Sequence, residues 1–213
     1  LYYIGPMFRS ERPQKGRYRQ FHQIGAEILG TDHPAVEAEV IDMLCRFFRE
    51  MGLSDYRLLV NSVGCSKCRP EYVKMLRGKL GERLESLCGQ CQRRSETNPL
   101  RVFDCKVPSC QPIVDKLPNI ADSLCEECTK HYSDFLSYLE IQQIPYEKDP
   151  RLVRGLDYYV RTTFEIVSDR LGPTQNALLG GGRYDGLSEA LGGPPTKGFG
   201  FALGMERFVL LLS

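Results

Sequence analysis

Hydrophobic and polar positions near residue 1 predict a β-hairpin. Apolar and aromatic residues dominate Tyr2–Phe8, and a similar pattern returns at 19–29. The polar stretch between them contains Pro13 and Gly16, two residue types that are common in loops between antiparallel strands. The pattern therefore predicts two paired strands joined by a polar loop.

The next apolar pattern has the period of a helix. Between residues 36 and 51, apolar side chains recur at steps of three and four, which gives the segment one apolar face for a core. Asp32 is the predicted N-cap, with Pro34 in the first turn and Gly52 after the last one. An apolar-rich stretch at 56–64 then predicts a buried strand.

The middle of the chain differs in character from the rest. Eight of the nine cysteines lie in 65–128, among charged stretches with helical patterns. Within this region "PLRVFD" at 99–104 is a strand candidate, and 124–139 is predicted to be a helix. We interpret the region as an inserted, largely helical subdomain. The predicted division of the chain is a first core segment at 1–64, the Cys-rich insertion at 65–145 and a second core segment at 146–213.

The last third predicts strands at 158–167 and 175–179, and then a glycine triplet at 180–182 that either turns tightly or lets a ligand approach the backbone. A short helix at 184–191 and the closing "GFGFALGMERFVLLL", a strand running into a helix, follow. Strands and helices alternate without a strict βαβ rhythm, so the predicted fold class is α+β with an antiparallel sheet.

Composition indicates a folded protein without a membrane segment. The chain is 42% hydrophobic, yet no window reaches the ~18 uninterrupted apolar residues of a membrane span, and the first residues lack the basic leader of a secretory signal. A net charge of +1 argues against general nucleic-acid binding, so any contact with RNA or a nucleotide should be local. Because both ends fall inside predicted elements and residue 1 is not Met, we expect a piece of a longer protein.

Cations are concentrated on the predicted hairpin. Residues 8–28 hold four Arg and one Lys against two Glu. Arg9, at a strand end, can direct two hydrogen bonds onto phosphate oxygens, which a lysine cannot match. Glu11 can accept from an exocyclic amine, and Phe21 can stack on a base. The predicted ligand is a nucleotide, and the alternative is a solvated cationic loop.

Two further segments carry candidate site residues. In "LVRGLDYYVRTTFEI", Arg154 precedes a strand on which Tyr158 and Tyr159 point to opposite faces, so one face can form a polar pocket wall. Arg207 lies early in the last predicted helix, where free amides and the helix dipole favour an anion. Taken alone, a glycine triplet is as often a turn without a ligand, and a lone helical Arg is usually a surface residue.

The cysteines have the spacing of metal ligands. They form four closely spaced pairs: Cys65 with Cys68, Cys88 with Cys91, Cys105 with Cys110, and Cys125 with Cys128. Eight thiolates would complete two tetrahedral zinc sites. The sequence leaves three ways of combining the pairs open, and free thiols packed as small apolar residues are the alternative to zinc. Cys45, on the first predicted helix, is interpreted as a core residue.

Four segments together resemble a known family. "FRSERPQKGRYRQFHQ" resembles motif 2 of class II aminoacyl-tRNA synthetases, and "GFGFALGMERF" resembles motif 3. "LVRGLDYY" and "GGGRYDGL" are similar to the histidine-specific signatures of the histidyl-tRNA synthetase family. The resemblance extends over essentially the whole chain, including "NSVG" at 61–64 and "NPLRVFDCK" at 98–106. It implies a class II antiparallel sheet flanked by helices, and an enzyme that activates histidine with ATP and transfers it to tRNA(His).

The resemblance also implies roles for individual residues. Arg9 and Arg154 would be catalytic, both at the ATP α-phosphate, with Mg²⁺ as a further cation. The ATP-binding residues would be Arg9 at the α-phosphate, Glu11 at the adenine amino group, Phe21 against the adenine ring, Arg207 at the γ-phosphate, and Arg17 near ATP or the tRNA acceptor end. The histidine-binding residues would be Gln23, Glu27, Arg154, Tyr158, Tyr159, Gly180, Gly182 and Tyr184. Zinc is not implied by the family, and a disulfide framework is not expected in a reducing cytosol.

The family further implies partners and a location. We expect histidine, ATP and the tRNA(His) acceptor end as substrates, a cytoplasmic location, and neither a membrane nor DNA as a partner. The family's motif 1 and anticodon-binding domain have no counterpart in the chain, so a homodimer is expected of the full-length parent. The alternatives are a histidine-binding regulatory subunit of ATP phosphoribosyltransferase, without catalysis, and the synthetase-like domain of a stress kinase. The retained arginines and Glu11 favour the enzyme.

The three histidines are given structural interpretations. We interpret His22 as a hydrogen-bonded residue beside a strand aromatic and His33 as a helix-start residue. His131 lies near a cysteine pair and could be a metal ligand, but an exposed helix position is the prediction.

Overall fold

A seven-stranded sheet crosses the protein in the computed structural model, which describes residues 1–10, 13, 17–172 and 176–213. Its strands are β1 (Tyr2–Phe8), β2 (Gln20–Leu29), β3 (Arg57–Ser62), β4 (Glu147–Lys148), β5 (Val160–Val167), β6 (Ala177–Arg183) and β7 (Gly198–Gly204). Their order across the sheet is β1-β2-β7-β6-β5-β3-β4. Neighbours are antiparallel except for β3 and the short β4, which are parallel. The predicted α+β class with an antiparallel sheet is confirmed.

Helices flank this sheet and fill the middle region. They are α1 (Pro34–Glu50), α2 (Arg69–Gly81), α3 (Gly89–Thr97), α4 (Gln111–Val114), α5 (Glu126–Ile141), α6 (Leu187–Ala190) and α7 (Met205–Leu212). Each helix among the described residues is too short or too polar to cross a bilayer.

One face of the sheet carries the main core. Phe199, Phe201 and Leu203 alternate along β7 and pack, almost fully buried, with side chains of α1, α5 and α7. Successive side chains on a strand point to opposite faces, so Gly200 and Ala202 lie on the other face of β7. These small residues leave room above the sheet. The alternation in "GFGFALG" therefore separates a core face from a face that can accept a ligand.

A second, smaller core lies in the Cys-rich region. Its buried residues include Tyr72, Leu76 and Phe103, together with three of the cysteines. Val153, just before β5, is also buried there. The last turns of α5 pack in the main core, and the predicted boundaries at 65 and 145 stay a prediction.

The structure corrects two predictions near helices. The N-cap of α1 is His33 and not Asp32, because the His33 Nδ1 accepts the amide of Ala35 at 3.2 Å. His33 is thus the expected helix-start residue. The prediction of an exposed His131 was wrong: its side chain is buried, and its Nε2 lies 2.8 Å from the Glu37 carboxylate.

Two strand and turn predictions also differ from the structure. Residues Pro99–Asp104 form 3₁₀ turns and not a strand, since Val102 and Phe103 face the small core from one side of a turn while Cys105 donates back to Val102 O at 3.0 Å. A short apolar run does not distinguish these conformations. The glycine triplet lies inside β6 and does not turn the chain. The predicted 184–191 helix is the shorter α6.

Candidate active site

Four arginines line a cavity of about 260 Å³ on the ligand-accepting face of the sheet: Arg9, Arg17, Arg154 and Arg207. Arg9 directly follows β1, Arg17 lies three residues before β2, Arg154 is in the loop before β5, and Arg207 is in α7. The sheet order brings these distant segments together, because β2 pairs with β7 and β7 with β6. We call this space the arginine cavity.

The hairpin contributes Arg9 and Phe21 to this cavity as a contacting pair. The register of β1 and β2 places Met7 opposite Phe21, and the Arg9 amide continues the ladder by donating to Arg19 O at 2.9 Å. The Arg9 guanidinium carbon lies 3.9 Å from the centroid of the Phe21 ring, and its Nε donates to Tyr18 O at 2.7 Å. The guanidinium thus lies over one face of the ring, and both side chains line the arginine cavity. Glu11 lies outside the described residues.

Arg154 is fixed from two directions. Its guanidinium forms an ion pair with Glu165 of β5 and lies directly over Gly180 of β6, where any Cβ would collide with it. Burial raises the pKa of Glu165, and the charge of Arg154 opposes this shift. Gly180 belongs to the glycine triplet for which the sequence predicted a tight turn or a close approach of a ligand. In the structure, its missing side chain makes room for the Arg154 guanidinium.

Arg207 lies among like charges. Burial lowers its pKa, and the nearby charges of Arg9 and Arg17 lower it further. One of its terminal nitrogens donates to Ala177 O. An anion placed between these cations would offset their repulsion, so the electrostatics of the cavity favour a polyphosphate.

His22 and Glu206 join the hairpin to α7 at the cavity edge. Glu206 Oε1 accepts the His22 amide at 2.8 Å and lies 3.1 Å from His22 Nδ1. The interpretation of His22 as a hydrogen-bonded structural residue is confirmed. Glu206 itself lines the arginine cavity and brings a carboxylate to it.

A second cavity, of about 300 Å³, adjoins the first at Ala202 of β7, which lines both. We call it the tyrosine cavity, after four of its lining residues: Tyr3, Tyr158, Tyr159 and Tyr184. A ligand can therefore extend across the sheet from an anion-binding space into an aromatic one.

Glu27 is the acidic group of the tyrosine cavity. Its carboxylate lies over Gly200 and accepts a hydrogen bond from the Tyr184 hydroxyl. Burial raises the pKa of Glu27, and the hydrogen bond from Tyr184 partly offsets that shift. The prediction that Tyr158 and Tyr159 alternate along a strand was wrong: both precede β5, line this cavity together and have their ring centroids 4.5 Å apart. A carboxylate among aromatic rings can select a ligand with N–H donors on a flat ring.

The structure distributes the predicted histidine-binding residues between both cavities. Gln23 lines the arginine cavity, whereas Glu27, four residues along β2, lines the tyrosine cavity. Gly182 lies against Tyr159, where a Cβ would meet the ring and the neighbouring strand. Three residues were missed by sequence reasoning. They are Tyr3, Glu165 and Glu206, whose partners lie across strands or at the far end of the chain.

The cysteines gather into two clusters. The first cluster is Cys65, Cys68, Cys125 and Cys128, and the second cluster is Cys88, Cys91, Cys105 and Cys110. Within each cluster all four sulfur atoms lie within 4.8 Å of one another. Of the three combinations open in the sequence, this is the one that the fold adopts, and each cluster could hold a metal ion.

Sheet, flanking helices and hairpin together define the fold of a class II aminoacyl-tRNA synthetase catalytic domain. The family model of histidyl-tRNA synthetase matches residues 1–208. The histidine–tRNA ligase of Syntrophotalea carbinolica is 56% identical over 211 residues, which cover 99% of this chain and 50% of that protein. The corresponding ligase of Solibacter usitatus is 57% identical, with 99% and 51% covered. The chain belongs to the histidyl-tRNA synthetase family and spans about half the length of these relatives.

Solved structures agree with this assignment. The crystal structure of apo S. aureus histidyl-tRNA synthetase matches with a TM-score of 0.77 and 41% identity, covering 100% of this chain and 50% of that one. A Bacillus halodurans protein described as an ATP phosphoribosyltransferase regulatory subunit/histidyl-tRNA synthetase matches with a TM-score of 0.60 at 21% identity, which is a likeness of fold alone.

Proposed function

We propose that this chain is the catalytic core of an enzyme that activates histidine with ATP and transfers it to the acceptor end of tRNA(His). The observation that carries the proposal is the junction of the two cavities at Ala202. Activation joins a carboxylate to the α-phosphate of ATP and breaks the bond from the α- to the β-phosphate, which releases pyrophosphate. It therefore needs an amino-acid pocket that opens directly onto a phosphate pocket. Membership of the histidyl-tRNA synthetase family supports the same assignment.

In this proposal ATP occupies the arginine cavity. Arg9 holds the α-phosphate, Arg207 the γ-phosphate, and Phe21 offers its ring to adenine. Arg17 lies where it can reach ATP or the end of the tRNA. By resemblance Glu11 meets the adenine amino group. Guanidinium groups suit this task because each donates two parallel hydrogen bonds to phosphate oxygens.

Histidine occupies the tyrosine cavity with its carboxylate toward Arg154. Gln23 and Glu27 lie on the same face of β2, about 14 Å apart along the strand at ~3.4 Å per residue. Gln23 is therefore the nearer to the phosphates and is assigned to the α-amino group, and Glu27 to the imidazole N–H. An amino acid without the imidazole would leave the Glu27 carboxylate with the Tyr184 hydroxyl but without the ligand N–H that it is proposed to bind, which is an effective way to reject it.

Arg154 and Arg9 carry the chemistry. Carboxylate attack builds negative charge on the α-phosphate, and two preorganised guanidinium groups stabilise that charge and keep the attack in line. Glu165 and Gly180 hold Arg154 in position, so little reorganisation is needed. Bound Mg²⁺ would add further charge neutralisation at the phosphates, and the Glu206 carboxylate in the cavity fits its preference for oxygen ligands.

The wider assignment follows from the family. We propose a homodimer of the full-length parent, a cytoplasmic location, and no role for a membrane or DNA. The regulatory-subunit alternative requires histidine binding without catalysis. The intact set of four arginines in one cavity favours the enzyme, because a histidine sensor has no use for a triphosphate site.

The test is ATP–pyrophosphate exchange with each amino acid in turn, using the full-length polypeptide that carries this sequence, with Mg²⁺. We expect exchange with histidine and with no other amino acid. Histidine binding without exchange would refute the enzyme and support the regulatory alternative. An Arg207→Ala variant should raise the KM for ATP, while Arg170→Ala, which removes an arginine near α7 outside the arginine cavity, should leave it unchanged.

A further inference from the structure

We propose that the two cysteine clusters are structural zinc sites, and that they brace the loop that carries Arg154. That loop comprises residues 153–159 and is called the signature loop below. The part of this proposal that concerns Arg154 rests on the proposed function. The metal sites themselves do not, since they stand on the geometry of the sulfur atoms.

Sulfur spacing in the first cluster fits tetrahedral zinc. Zinc–thiolate bonds of ~2.3 Å place tetrahedral ligands about 3.8 Å apart. Cys65 Sγ lies 3.8 Å from the Sγ atoms of both Cys68 and Cys125, and Cys68 Sγ lies 3.9 Å from Cys128 Sγ. These distances are about twice the length of a disulfide bond, and all four thiols are free.

The second cluster repeats this arrangement at a separate place in the fold. Cys88 Sγ and Cys105 Sγ are 4.0 Å apart, and all four sulfur atoms of the cluster lie within 4.8 Å of one another. Three of the four side chains are buried. Two separate groups of four converging thiols in one small region are more easily explained by metal binding than by packing alone.

Backbone amides point at the sulfur atoms, as they do around bound thiolates. In the first cluster the amide of Lys67 donates to Cys65 Sγ at 3.4 Å, and the amide of Cys65 to Cys68 Sγ at 3.3 Å. In the second, the amide of Val107 donates to Cys105 Sγ at 3.4 Å. Such bonds orient the ligands and draw charge from a site with a net charge of −2.

Helix N-termini add to this stabilisation. Cys68 and Cys125 of the first cluster are the N-caps of α2 and α5, and Cys88 of the second cluster is the N-cap of α3. The positive end of a helix dipole favours negative charge at these positions. The folding of three helices thus places thiolates where their charge costs least.

Zinc is the metal that this donor set selects. Four thiolates in a tetrahedron suit zinc or iron, and the ordinary affinity order of divalent metals places zinc above ferrous iron. Four protein ligands leave no open position for a substrate, which is the hallmark of a structural site. Among the residues that the structure describes, no cluster cysteine lines either the arginine or the tyrosine cavity.

The region also needs such a support. Residues 65–128 are fewer than the ~70–80 at which a single hydrophobic core usually suffices. The second core is correspondingly small, and three of its buried members are cluster cysteines: Cys91, Cys105 and Cys110. Bound metal would replace the stabilisation that this core lacks.

From the first cluster, one residue reaches the signature loop directly. Arg69 follows Cys68 and donates its Nη2 to Tyr159 O at 2.5 Å, while its Nε donates to Val63 O at 3.0 Å. The cluster ties the turn after β3 to the start of α5. It thereby fixes the residue that holds one end of the loop.

From the second cluster, the 3₁₀ segment holds the other end. Arg101 donates to Gly155 O at 2.8 Å, and Asn98 donates to the Asp157 carboxylate. Val153 is buried in the same small core as the cysteines. Arg154 therefore lies between two residues that are anchored to the Cys-rich region, and loosening that region would release its guanidinium from the arginine cavity.

Metal content is the first test. The full-length polypeptide, purified without a metal-affinity tag, should contain two zinc ions per chain by elemental analysis and native mass spectrometry. Cys65→Ser with Cys125→Ser should leave one zinc, and so should Cys88→Ser with Cys105→Ser. Cys45→Ser, a buried cysteine outside both clusters, should keep two. Near-zero metal with eight titratable thiols, or iron in place of zinc, would overturn the proposal.

The bracing role has a separate readout that does not depend on activity. Zinc removal by a chelator should speed amide hydrogen exchange in residues 98–105 and 153–159 at least tenfold, with α1 unchanged as the internal control. Zinc, and not Mg²⁺, should restore protection. Unchanged exchange of 153–159 in zinc-free protein would refute the bracing, whether or not the protein proves to be a histidine-activating enzyme.

Discussion

Replacing Arg154 by Ala separates two effects that the structure links. Arg154 is proposed to stabilise charge on the α-phosphate, and it is also the ion-pair partner of Glu165, with each side chain 22% exposed. Loss of one preorganised stabiliser costs about 10²–10³ in kcat, or about 2.7–4 kcal/mol. Loss of a partly buried partner costs about 1–2 kcal/mol of stability, between the values for exposed and buried pairs.

The assay is histidine-dependent pyrophosphate exchange, with rates divided by the concentration of folded sites. We expect kcat and kcat/KM to fall together, since the interaction is made in the transition state. A double variant, Arg154→Ala with Glu165→Gln, should regain thermal stability without regaining rate, because the carboxylate no longer needs a counterion. Arg46→Ala, which breaks an exposed pair with Asp42 on α1, is the matched control and should change neither the exchange rate nor the thermal stability.

Two results would refute the reasoning. A fall in kcat of less than about tenfold would mean that Arg154 is not one of the main stabilisers of the transition state. Recovery of kcat together with stability in the double variant would mean that Arg154 acts by keeping the site folded. The first result tests the role of Arg154 in the transition state, and the second tests its role in keeping the site folded. The single and double variants together therefore distinguish these two roles.

Two further predictions concern the carboxylates of Glu37, which is buried, and Glu27, which is half-buried. Glu37→Gln should lower the free energy of unfolding by about 3 kcal/mol in chemical denaturation, because it removes one of the two carboxylates paired with the fully buried Arg183, which donates to Glu37 at 2.6 Å and to Asp185 at 3.0 Å. The exposed Glu39→Gln on the same helix should change the free energy of unfolding by less than about 0.5 kcal/mol, and an equal effect of both variants would contradict this. Tyr184→Phe removes the hydrogen bond that lowers the pKa of Glu27, so the pKa of Glu27 should rise further. The low-pH limb of the pH profile of KM for histidine should therefore move to higher pH. An unmoved limb would show that histidine binding does not need the ionised Glu27 carboxylate.

Local patterns in the sequence determined most of the elements correctly. The hairpin, α1 and α5 follow from strand alternation and helical periodicity, and both periodicities are properties of neighbouring residues. His131 shows where this information ends. Its helix position predicts exposure, but its partner Glu37 lies 94 positions away on α1, and only the packing of α5 against α1 makes a histidine acceptable in the core.

The cysteine clusters show the same limit at a larger scale. Two cysteines separated by two residues are predicted to form a pair, because their thiols share one turn. This spacing does not indicate which pairs come together in the fold. Cys65 and Cys125 are 60 positions apart and meet because β3 ends beside the start of α5. Tyr3 and Glu165 were missed for the same reason, as their site partners come from other strands of the sheet.

The strand that follows Tyr158 and Tyr159, β5, departs from regular pairing at its start. The pairing of β5 with β6 shifts between Val160 and Thr163, and Arg161 has a positive φ of 53°, which costs a residue with a side chain about 1 kcal/mol or more. Two backbone hydrogen bonds of 2.7 Å, to Gly64 O and from the Val63 amide, hold it there. Because Gly64 immediately precedes Cys65, the residue that pairs with Arg161 and the first cluster share one stretch of backbone. A strained residue keeps its conformation only while its neighbours are fixed. The proposed metal at the first cluster would therefore also help to hold Arg161 in this conformation, two residues after Tyr159 of the tyrosine cavity.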